Sequence, residues 1–388
     1  MRIMSGVGTS KCCEDAFEAG KNAAEKAVEG LLGKQASLFI VYSTPQFDLI
    51  RLLAGIRSVS GETELIGCTT SGEIVNGEHL GFGGGVAVLA LSGGPYRFGI
   101  ASAKNIMGRL DQAGQDIARQ SKKLAGPSPY AAMLLLVDCL AGDLQEFFHG
   151  VYRITGPSVA ISGGAASDEL RFSKTYVFHN DQVIENGAVG LWIASSRPVP
   201  VITRHGWEPI GVPLLVTRAE GTELIELAGK PAAIAFEEQL GLASGSLAMD
   251  QFWDTSILHP FGLLQADGSF IIRVARSKTE RNTLMIQGCL PPVGSAVQVM
   301  YSSRDVLLNV ANEVAEIAQR LNPDLGVILC FSCTVRAVIF GNLAGEEAKR
   351  LHSVAADVST FGFFCCGEFA RTAGVLGTHN ATLTALAL

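Results

Sequence analysis

One eight-residue pattern occurs three times in this chain, and it constrains the fold more than any other feature. Each copy has Gly at the first position, Gly or Asp at the sixth, Glu at the seventh and an apolar residue at the eighth; the copies span 67–74, 163–170 and 362–369. An apolar run precedes each copy and a second strand-like run follows it. This arrangement predicts one supersecondary unit used three times, with a glycine turn and a carboxylate at a strand end. Sites on mainly parallel sheets tend to lie at such ends.

The composition favours an α/β fold with buried strands. The chain has 388 residues, of which 48% are apolar and 17% are charged, and this length suits two or three domains. Continuous apolar runs at 37–43 and 64–68 are typical of strands buried on both faces. A helical pattern at 45–56 lies between them, so the segment predicts a βαβ unit with parallel pairing. We expect mixed sheets with βαβ units and internal repeats.

Other segments have weaker but readable patterns. Helical periodicity predicts helices over 16–31, 110–124 and 305–321. A hairpin is predicted with its turn at 179–182, and 203–211 reads as a loop. The Gly- and Ser-containing segment 240–256 is the best candidate for a domain boundary.

Charge and hydropathy exclude some classes of protein. The net charge is −7, and Lys and Arg do not cluster, so neither nucleic acid nor an anionic membrane is an expected partner. No run approaches the roughly 18–20 apolar residues of a membrane-spanning helix. The first residues lack the apolar stretch of a signal peptide. We expect a cytoplasmic protein without membrane insertion.

The glutamates at the seventh pattern position are the first candidate site residues. If the three copies surround a common core, Glu73, Glu169 and Glu368 could line a cleft and bind an amine or act as acid and base. Alternatively, each carboxylate caps a turn or pairs with an arginine. The repetition fits a shared structural role at least as well as a catalytic one.

The nine cysteines include a cluster near the C-terminus. Their odd number and irregular spacing argue against a disulfide framework. Cys330, Cys333, Cys365 and Cys366 could bind zinc or act as a redox pair. The ordinary alternative is that they are small buried side chains with free thiols. Cys12 and Cys13 form a second adjacent pair.

Three histidines and one arginine are further candidates. His205, His259 and His379 stand beside Gly, Pro or Asn, where chains turn, and a histidine in such a place could coordinate haem iron. The alternative for each is a histidine hydrogen-bonded within its turn. Arg336 follows the third apolar strand, where its guanidinium could bind a ligand carboxylate or pair with Glu368.

The order of these pieces resembles the FIST family, a two-part sensory module of prokaryotic signal transduction. The resemblance covers nearly the whole chain and rests on the segments 66–74, 163–168, 176–179, 205–211, 259–263, 330–336, 366–369 and 379–383. Two positions depart from the family pattern. Thr334-Val335 replaces the usual Ala-Gly before Arg336, and Cys365-Cys366 stands where the family often has an aromatic residue.

The resemblance implies ligand sensing rather than catalysis. It implies a FIST N-type domain over 1–220 with two pattern copies and a FIST C-type domain over 221–388 with one. A small ligand is expected near Arg336, Glu368, Cys333, Cys366 and His259. One subset of the family is similar to haem-binding nitric-oxide sensors, for which His205 is the first and His259 the second candidate axial ligand.

Several functional alternatives remain open at this point. The signal is expected to pass to a separate protein such as a histidine kinase, because the chain has no transmitter segment of its own. Amino acids or other small metabolites are alternative ligands without haem. An enzyme using Glu368, Arg336 and a cysteine is the alternative from another class, and a homodimer is also open.

Overall fold

The computed structural model describes residues 2–11, 15–372 and 375–388, and it contains three similar units that follow the repeated pattern. The first unit comprises β1 (Ser5–Lys11), α1 (Ala16–Glu29), β2 (Leu38–Ser43), α2 (Leu49–Ser60), β3 (Leu65–Thr69), β4 (Glu73–Val75), β5 (Glu78–His79) and β6 (Gly85–Leu91). The second unit comprises β7 (Tyr96–Lys104), α3 (Leu110–Ala125), β8 (Tyr130–Asp138), α4 (Leu144–Thr155), β9 (Ala160–Ala166), β10 (Val177–His179), β11 (Gln182–Ile184) and β12 (Gly187–Ser195).

The third unit begins with β13 (Val201–Arg204) and is interrupted by an insertion. The insertion comprises β14 (Glu208–Glu220), β15 (Glu223–Leu227), β16 (Lys230–Pro231), α5 (Ala232–Gln239), α6 (Met249–Ser256), β17 (Phe261–Leu264), β18 (Phe270–Arg273), β19 (Ala275–Lys278), β20 (Leu284–Ile286) and β21 (Ala296–Tyr301). The third unit then continues with α7 (Arg304–Leu321), β22 (Val327–Cys333), α8 (Thr334–Phe340), a 3₁₀ turn (Gly341–Leu343), α9 (Ala344–Val354), β23 (Ser359–Cys365), β24 (Glu368–Thr372), β25 (Val375–His379) and β26 (Leu383–Ala387).

Each unit contributes the same four strands to its sheet. Two are parallel neighbours: β2 with β3, β8 with β9, and β22 with β23. The last strand of the unit pairs antiparallel with the first member of that pair, and the opening strand of the unit pairs antiparallel with this last strand. The prediction of a mixed α/β fold with repeated βαβ units is therefore confirmed.

The first glycine of each pattern copy has a specific packing reason. Gly67, Gly163 and Gly362 occupy equivalent positions, opposite Val41, Leu135 and Cys330 on the parallel partner strand. A Cβ atom at any of the three would overlap the carbonyl oxygen of that partner residue. Glycine is the residue that allows this close approach of two backbones.

After each pattern copy, the chain leaves its own sheet and adds a hairpin to another. The hairpin β4–β5 of the first unit joins β23 of the third unit, and β10–β11 of the second unit joins β3 of the first. The hairpin β24–β25 of the third unit joins β9 of the second. The exchange is cyclic, so each of the three sheets has six strands and contains residues of two units.

The helices cover the outer faces, and the sheets enclose a shared core. Acidic side chains begin several helices: Asp15, Asp48 and Asp143 accept hydrogen bonds from backbone N–H groups of the first turn. Paired helices (α1 with α2, α3 with α4, α7 with α9) lie against their own unit. A central cluster combines buried residues of all three sheets, among them Tyr42, Leu134 and Phe331.

The insertion and some boundaries differ from the sequence prediction. The segment 203–211, predicted as a loop, contains the end of β13 and the start of β14, and the candidate boundary 240–256 contains α6. The insertion folds as an antiparallel sheet of eight strands. The predicted domain division at 220/221 falls at the end of β14 and stays a prediction. None of the described helices is long and apolar enough to cross a membrane.

Candidate functional site

Two cavities lie where the insertion meets the second and third units. The first, called here the histidine cavity, has a volume of about 540 Å³ and is lined by residues 201–206, Asp267, Ser269, Phe270, Ile317, Leu321, Arg371 and His379. The second, called here the thiol cleft, has a volume of about 340 Å³ and is lined by Cys139, Leu140, residues 142–144, Ala165, Phe172, Thr222, Arg276, residues 286–288, residues 366–367 and Thr378. Both volumes are in the range of small-molecule sites.

His379 is the most distinctive polar group of the histidine cavity. It is 3% exposed, and its Nε2 atom has no hydrogen-bond partner among the described residues. The ring also hydrogen-bonds the backbone of Ala370. Burial, and next the nearby charge of Arg273, lower the pKa of His379 to about 3, so the imidazole is neutral at physiological pH. A neutral ring with a free, buried nitrogen is a ready ligand.

His205 lies in the same cavity but is differently engaged. Its Nδ1 atom accepts a hydrogen bond of 2.9 Å from the backbone N–H of Trp207. Burial, and next the positive charge of Arg336, lower its pKa to about 4. A neutral ring that accepts at Nδ1 carries its proton on Nε2, which then has no lone pair for a metal. The geometry therefore favours His379 over His205, whereas the resemblance put His205 first and His259 second.

Arginines give the histidine cavity its positive charge. Arg204 and Arg371 both line it. The Nε atom of Arg371 donates to the carbonyl of Val159 at 3.1 Å, and its guanidinium lies over the ring of Tyr152 at 5.1 Å. The Nη1 atom of Arg371 is buried and has no partner among the described residues. An anionic group entering the cavity would find this donor available.

The thiol cleft combines one predicted thiol, Cys366, with Cys139, which the sequence analysis did not single out. Cys366 was predicted to contact a ligand, and it lines the cleft together with Cys139. The Nε2 group of Gln287 donates to the sulfur of Cys366 at 3.5 Å. Asp143 and Arg276 bring opposite charges to the same cleft.

Glu368 lies behind the cleft, among Thr382, Cys365 and Cys333. Thr382 donates to its carboxylate from Oγ1 at 2.6 Å and from its backbone N–H at 3.2 Å, and Cys365 donates at 3.3 Å. Burial raises the pKa of Glu368 to about 8 despite these hydrogen bonds. Cys333 and Cys365 have thiol pKa values raised mainly by burial.

The three pattern glutamates do not line either cavity. Glu73 is fully buried, accepts a hydrogen bond of 2.6 Å from Thr70, and has a pKa raised to about 8 mainly by burial. Glu169 accepts from Thr44 at 3.2 Å and pairs with Arg171 at 2.8 Å. Glu73 therefore fastens its own turn, whereas Glu169 and Glu368 also bind Thr44 and Thr382 on other segments. All three carboxylates have contacts of the structural kind, which is the alternative weighed from the sequence.

Arg336 is placed differently from either sequence hypothesis. It belongs to α8, is 0% exposed, and forms a buried ion pair with Glu347, with Nε at 2.9 Å from a carboxylate oxygen. Its Nη2 atom also donates to the carbonyl of Leu307 at 2.7 Å. The predicted pairing with Glu368 is thus wrong, because Glu347 takes that place. The guanidinium does not line either cavity.

His259 is separate from both cavities. Its ring stacks on Tyr301 with a centroid distance of 5.8 Å, and burial lowers its pKa. Its Nδ1 atom is buried without a partner among the described residues, but neither cavity includes His259 in its lining. Its predicted ligand role stays a prediction.

Sequence reasoning missed Glu347, Arg371 and Cys139. None of them belongs to a recognisable motif: Glu347 lies on α9, Arg371 on β24 and Cys139 in the turn after β8. Within the described ranges, no group of three or more His, Cys, Asp or Glu side chains is placed to hold a metal ion, so the zinc hypothesis for the cysteines gains no support. Cys12 and Cys13 lie outside the described residues.

Comparison with known proteins gives relatives along the whole chain. An uncharacterized protein of Mycobacterium tuberculosis is 27% identical over 405 residues, covering 98% of each chain. An uncharacterized protein of Mycobacterium bovis is 26% identical over 409 residues, covering 98% of this chain and 97% of that one. A solved structure of a cyanuric acid hydrolase from A. caulinodans aligns at 8% identity with a TM-score of 0.30, over 50% of this chain and 71% of that one.

Family models match two consecutive segments. The FIST N domain matches residues 37–230, and the FIST C domain matches residues 232–371. FIST domains are small-ligand sensory modules in signalling. Together with the segments that carry the sequence resemblance, these matches show that the chain belongs to the FIST family.

Proposed function

We propose that this chain is a sensor that binds haem in the histidine cavity, responds to nitric oxide and regulates a separate signalling protein such as a histidine kinase. The single observation that carries this proposal is the buried, unpartnered Nε2 atom of His379 at the wall of a cavity of about 540 Å³. A buried polar atom without a partner is costly, and its persistence points to a bound group.

The residues of the cavity fit haem in three respects. The ring of His379 is fixed by its hydrogen bond to the Ala370 backbone, the usual way in which a metal-bound histidine is oriented. Arg371 and Arg204 supply cations for carboxylate groups. Phe270, Ile317 and Leu321 supply apolar wall. Bound haem would supply an iron centre that binds a diatomic gas.

His379 is also well placed to report occupancy. It lies on β25, which pairs with β24, and β24 joins the sheet of the second unit through β9. A ligand regulates a partner only if it binds one conformation better than another. A ligand held at His379 would favour one position of the β24–β25 hairpin, and the second unit would carry that preference to a partner.

A second candidate function rests on the thiol cleft. Asp143 and Arg276 face it with opposite charges, which suits the ammonium and carboxylate groups of an amino acid. The enzyme hypothesis has less support. Its three components are not assembled, because Arg336 is held by Glu347, and burial raises the thiol pKa of Cys333 and so disfavours the nucleophilic thiolate.

The haem proposal is tested by absorption spectroscopy of the full chain after incubation with haem. We expect a Soret band for the wild type, for His205→Ala and for His259→Ala. His379→Ala should lose or shift the band, and added imidazole should restore it by filling the vacated space. A wild-type protein that stays colourless would overturn the proposal. A band lost only in His205→Ala would instead restore the ligand order predicted from the sequence.

The amino-acid alternative is tested by calorimetric titration of the haem-free chain with a set of amino acids. Binding that weakens at least tenfold in Arg276→Gln, but not in the control Arg281→Gln, would support it. Both arginines are exposed on the insertion, and Arg281 lies outside the cleft lining. No heat of binding from any amino acid would remove this candidate.

A further inference from the structure

We propose that Cys139 and Cys366 are a peroxide-responsive thiol pair whose disulfide links the second and third units across the thiol cleft. This modification site does not depend on the haem proposal.

Exposure singles these two thiols out. Among the free cysteines of the described ranges, Cys139 and Cys366 are half-buried, whereas Cys68, Cys289, Cys330, Cys333 and Cys365 are buried. Both line the thiol cleft, which admits small molecules. Both also pack against the same apolar cluster beneath the second unit. An oxidant in the cleft would therefore meet these two sulfurs first.

The backbone brings the two thiols to opposite sides of the end of β9. Cys139 follows Asp138, the parallel partner of Ala166. Cys366 donates its backbone N–H to the carbonyl of Ala165 at 3.2 Å. The β9 residues between them, Ala165 and Ala166, are small, so the two longer side chains can meet over the strand. The thiol of Cys366 hydrogen-bonds that of Cys139.

The two sulfurs have different roles in this contact. The hydrogen bond with Cys139 and, second, burial raise the pKa of Cys366, so Cys366 keeps its proton. Cys139 lies beside this thiol, and its sulfur is 3.9 Å from the hydroxyl oxygen of Thr175. Because Cys366 holds its proton, Cys139 is assigned as the attacking thiol and Cys366 as the resolving one.

The reaction is a two-electron oxidation by hydrogen peroxide. The thiolate of Cys139 attacks one peroxide oxygen; an S–O bond forms, the O–O bond breaks, and hydroxide leaves and takes up the proton released when Cys139 ionised. The sulfur of Cys366 then attacks the sulfur of Cys139. An S–S bond forms, the S–O bond breaks, and the Cys366 proton leaves with the hydroxyl as water. Two thiols are oxidised to one disulfide, and one peroxide is reduced to two waters.

The new bond would tie the turn after β8 to the turn after β23. Both turns contribute residues to the lining of the thiol cleft. Drawing them together narrows the cleft, so oxidation would regulate access to it. Dithiol reductants would reverse the change.

The test is peptide mapping of the full chain by mass spectrometry without reduction, after treatment with stoichiometric hydrogen peroxide. We expect a linked pair of peptides containing Cys139 and Cys366, with a mass loss of about 2 Da that dithiothreitol reverses. Cys139→Ser and Cys366→Ser should each abolish the link. The matched control Cys289→Ser, a buried thiol 3.7 Å from Asp143, should keep it.

Two results would overturn the proposal. One is a chain that resists stoichiometric peroxide or is oxidised only to sulfinic acid at single cysteines. The other is a disulfide that involves a different pair, such as Cys12 with Cys13. In Cys366→Ser, a reagent specific for sulfenic acid should label Cys139, and labelling elsewhere would contradict the assigned order of attack.

Discussion

Arg336 and His379 are both buried polar residues of the third unit, and they differ in whether their hydrogen-bonding atoms are used. Arg336 is surrounded by acceptors: the carboxylate of Glu347 and the carbonyl of Leu307. His379 has a buried ring nitrogen with no partner among the described residues. A satisfied group holds the fold together, whereas an unsatisfied one beside a cavity is available to a ligand. Whether a buried residue has partners for all its hydrogen-bonding atoms therefore distinguishes a structural residue from a ligand-binding one better than its charge or its place in a motif does.

The largest effect is expected for a variant of Arg336, the residue whose hydrogen-bonding atoms are used. Arg336→Met should destabilise the fold by about 3–5 kcal/mol, because it leaves the carboxylate of Glu347 buried without a cation. Chemical denaturation followed by circular dichroism measures the free energy of unfolding. The double variant Arg336→Met/Glu347→Leu should recover most of the loss, since no unpaired charge remains.

An exposed ion pair on the same helix as Glu347 serves as the control. Lys349 pairs with Glu346 at 2.6 Å, but the two side chains are 66% and 37% exposed. Lys349→Met should change the free energy of unfolding by less than about 0.5 kcal/mol. Equal losses in Arg336→Met and Lys349→Met would contradict the structural role assigned to Arg336.

His379→Phe tests the other residue of the comparison, whose ring nitrogen has no partner among the described residues. At pH 7 we expect a loss of about 1–2 kcal/mol, because Phe removes the hydrogen bond to the Ala370 backbone, whereas Nε2 has no partner to lose. The pKa of about 3 lies below that of an unfolded histidine. As the pH falls below about 6.5, this histidine becomes protonated in the unfolded chain but stays neutral in the folded one. The free energy of unfolding therefore decreases. Between pH 7 and pH 5 the wild type should lose up to about 2 kcal/mol more stability than the variant. Parallel denaturation curves at these two pH values measure the difference, and an identical pH dependence would contradict a neutral buried ring.

Glu368→Gln tests a second buried group, whose pH dependence has the opposite sign. The pKa of about 8 lies above that of an unfolded glutamate, so the folded carboxyl holds its proton more tightly. This contribution to stability is fully present below about pH 4 and is lost as the pH rises toward 8. Between pH 6 and pH 8, Glu368 should lower the free energy of unfolding of the wild type by at most about 1.4 kcal/mol per pH unit, and the variant should lack this decrease. Urea denaturation of both proteins at pH 6, 7 and 8 measures this decrease. A wild type that becomes more stable relative to the variant as the pH rises would contradict the direction of the predicted effect.

Local and repeated features of the fold could be predicted from the sequence. Gly67, Gly163 and Gly362 mark equivalent close approaches of parallel strands, and a spacing pattern is enough to find them. The exchange of hairpins could not be predicted, because β4 has only three residues and its partner β23 is remote in the chain. Short strands carry little periodicity, and the choice of sheet is decided by tertiary packing.

The site was harder to predict for the same reason. Glu347 pairs with Arg336 across the junction of α8 and α9, and Cys139 and Cys366 line the same cleft. No spacing rule links these residues. His379 was recognised as a turn histidine, but its unpartnered nitrogen depends on which strands surround it, and only the structure gives that.

The cyclic hairpin exchange has a consequence for the ancestry of the chain. Each unit lends a hairpin to one neighbour and receives one from the other, and the cycle closes after three steps. Three identical copies of a single unit would close in the same way as a domain-swapped homotrimer with threefold symmetry. Joining the three genes end to end would give the connectivity of this chain, and the insertion after β13 then distinguishes one copy from the other two. The two FIST segments, cut apart, would each lack strands that the other supplies to its sheets, so neither segment alone closes the cycle.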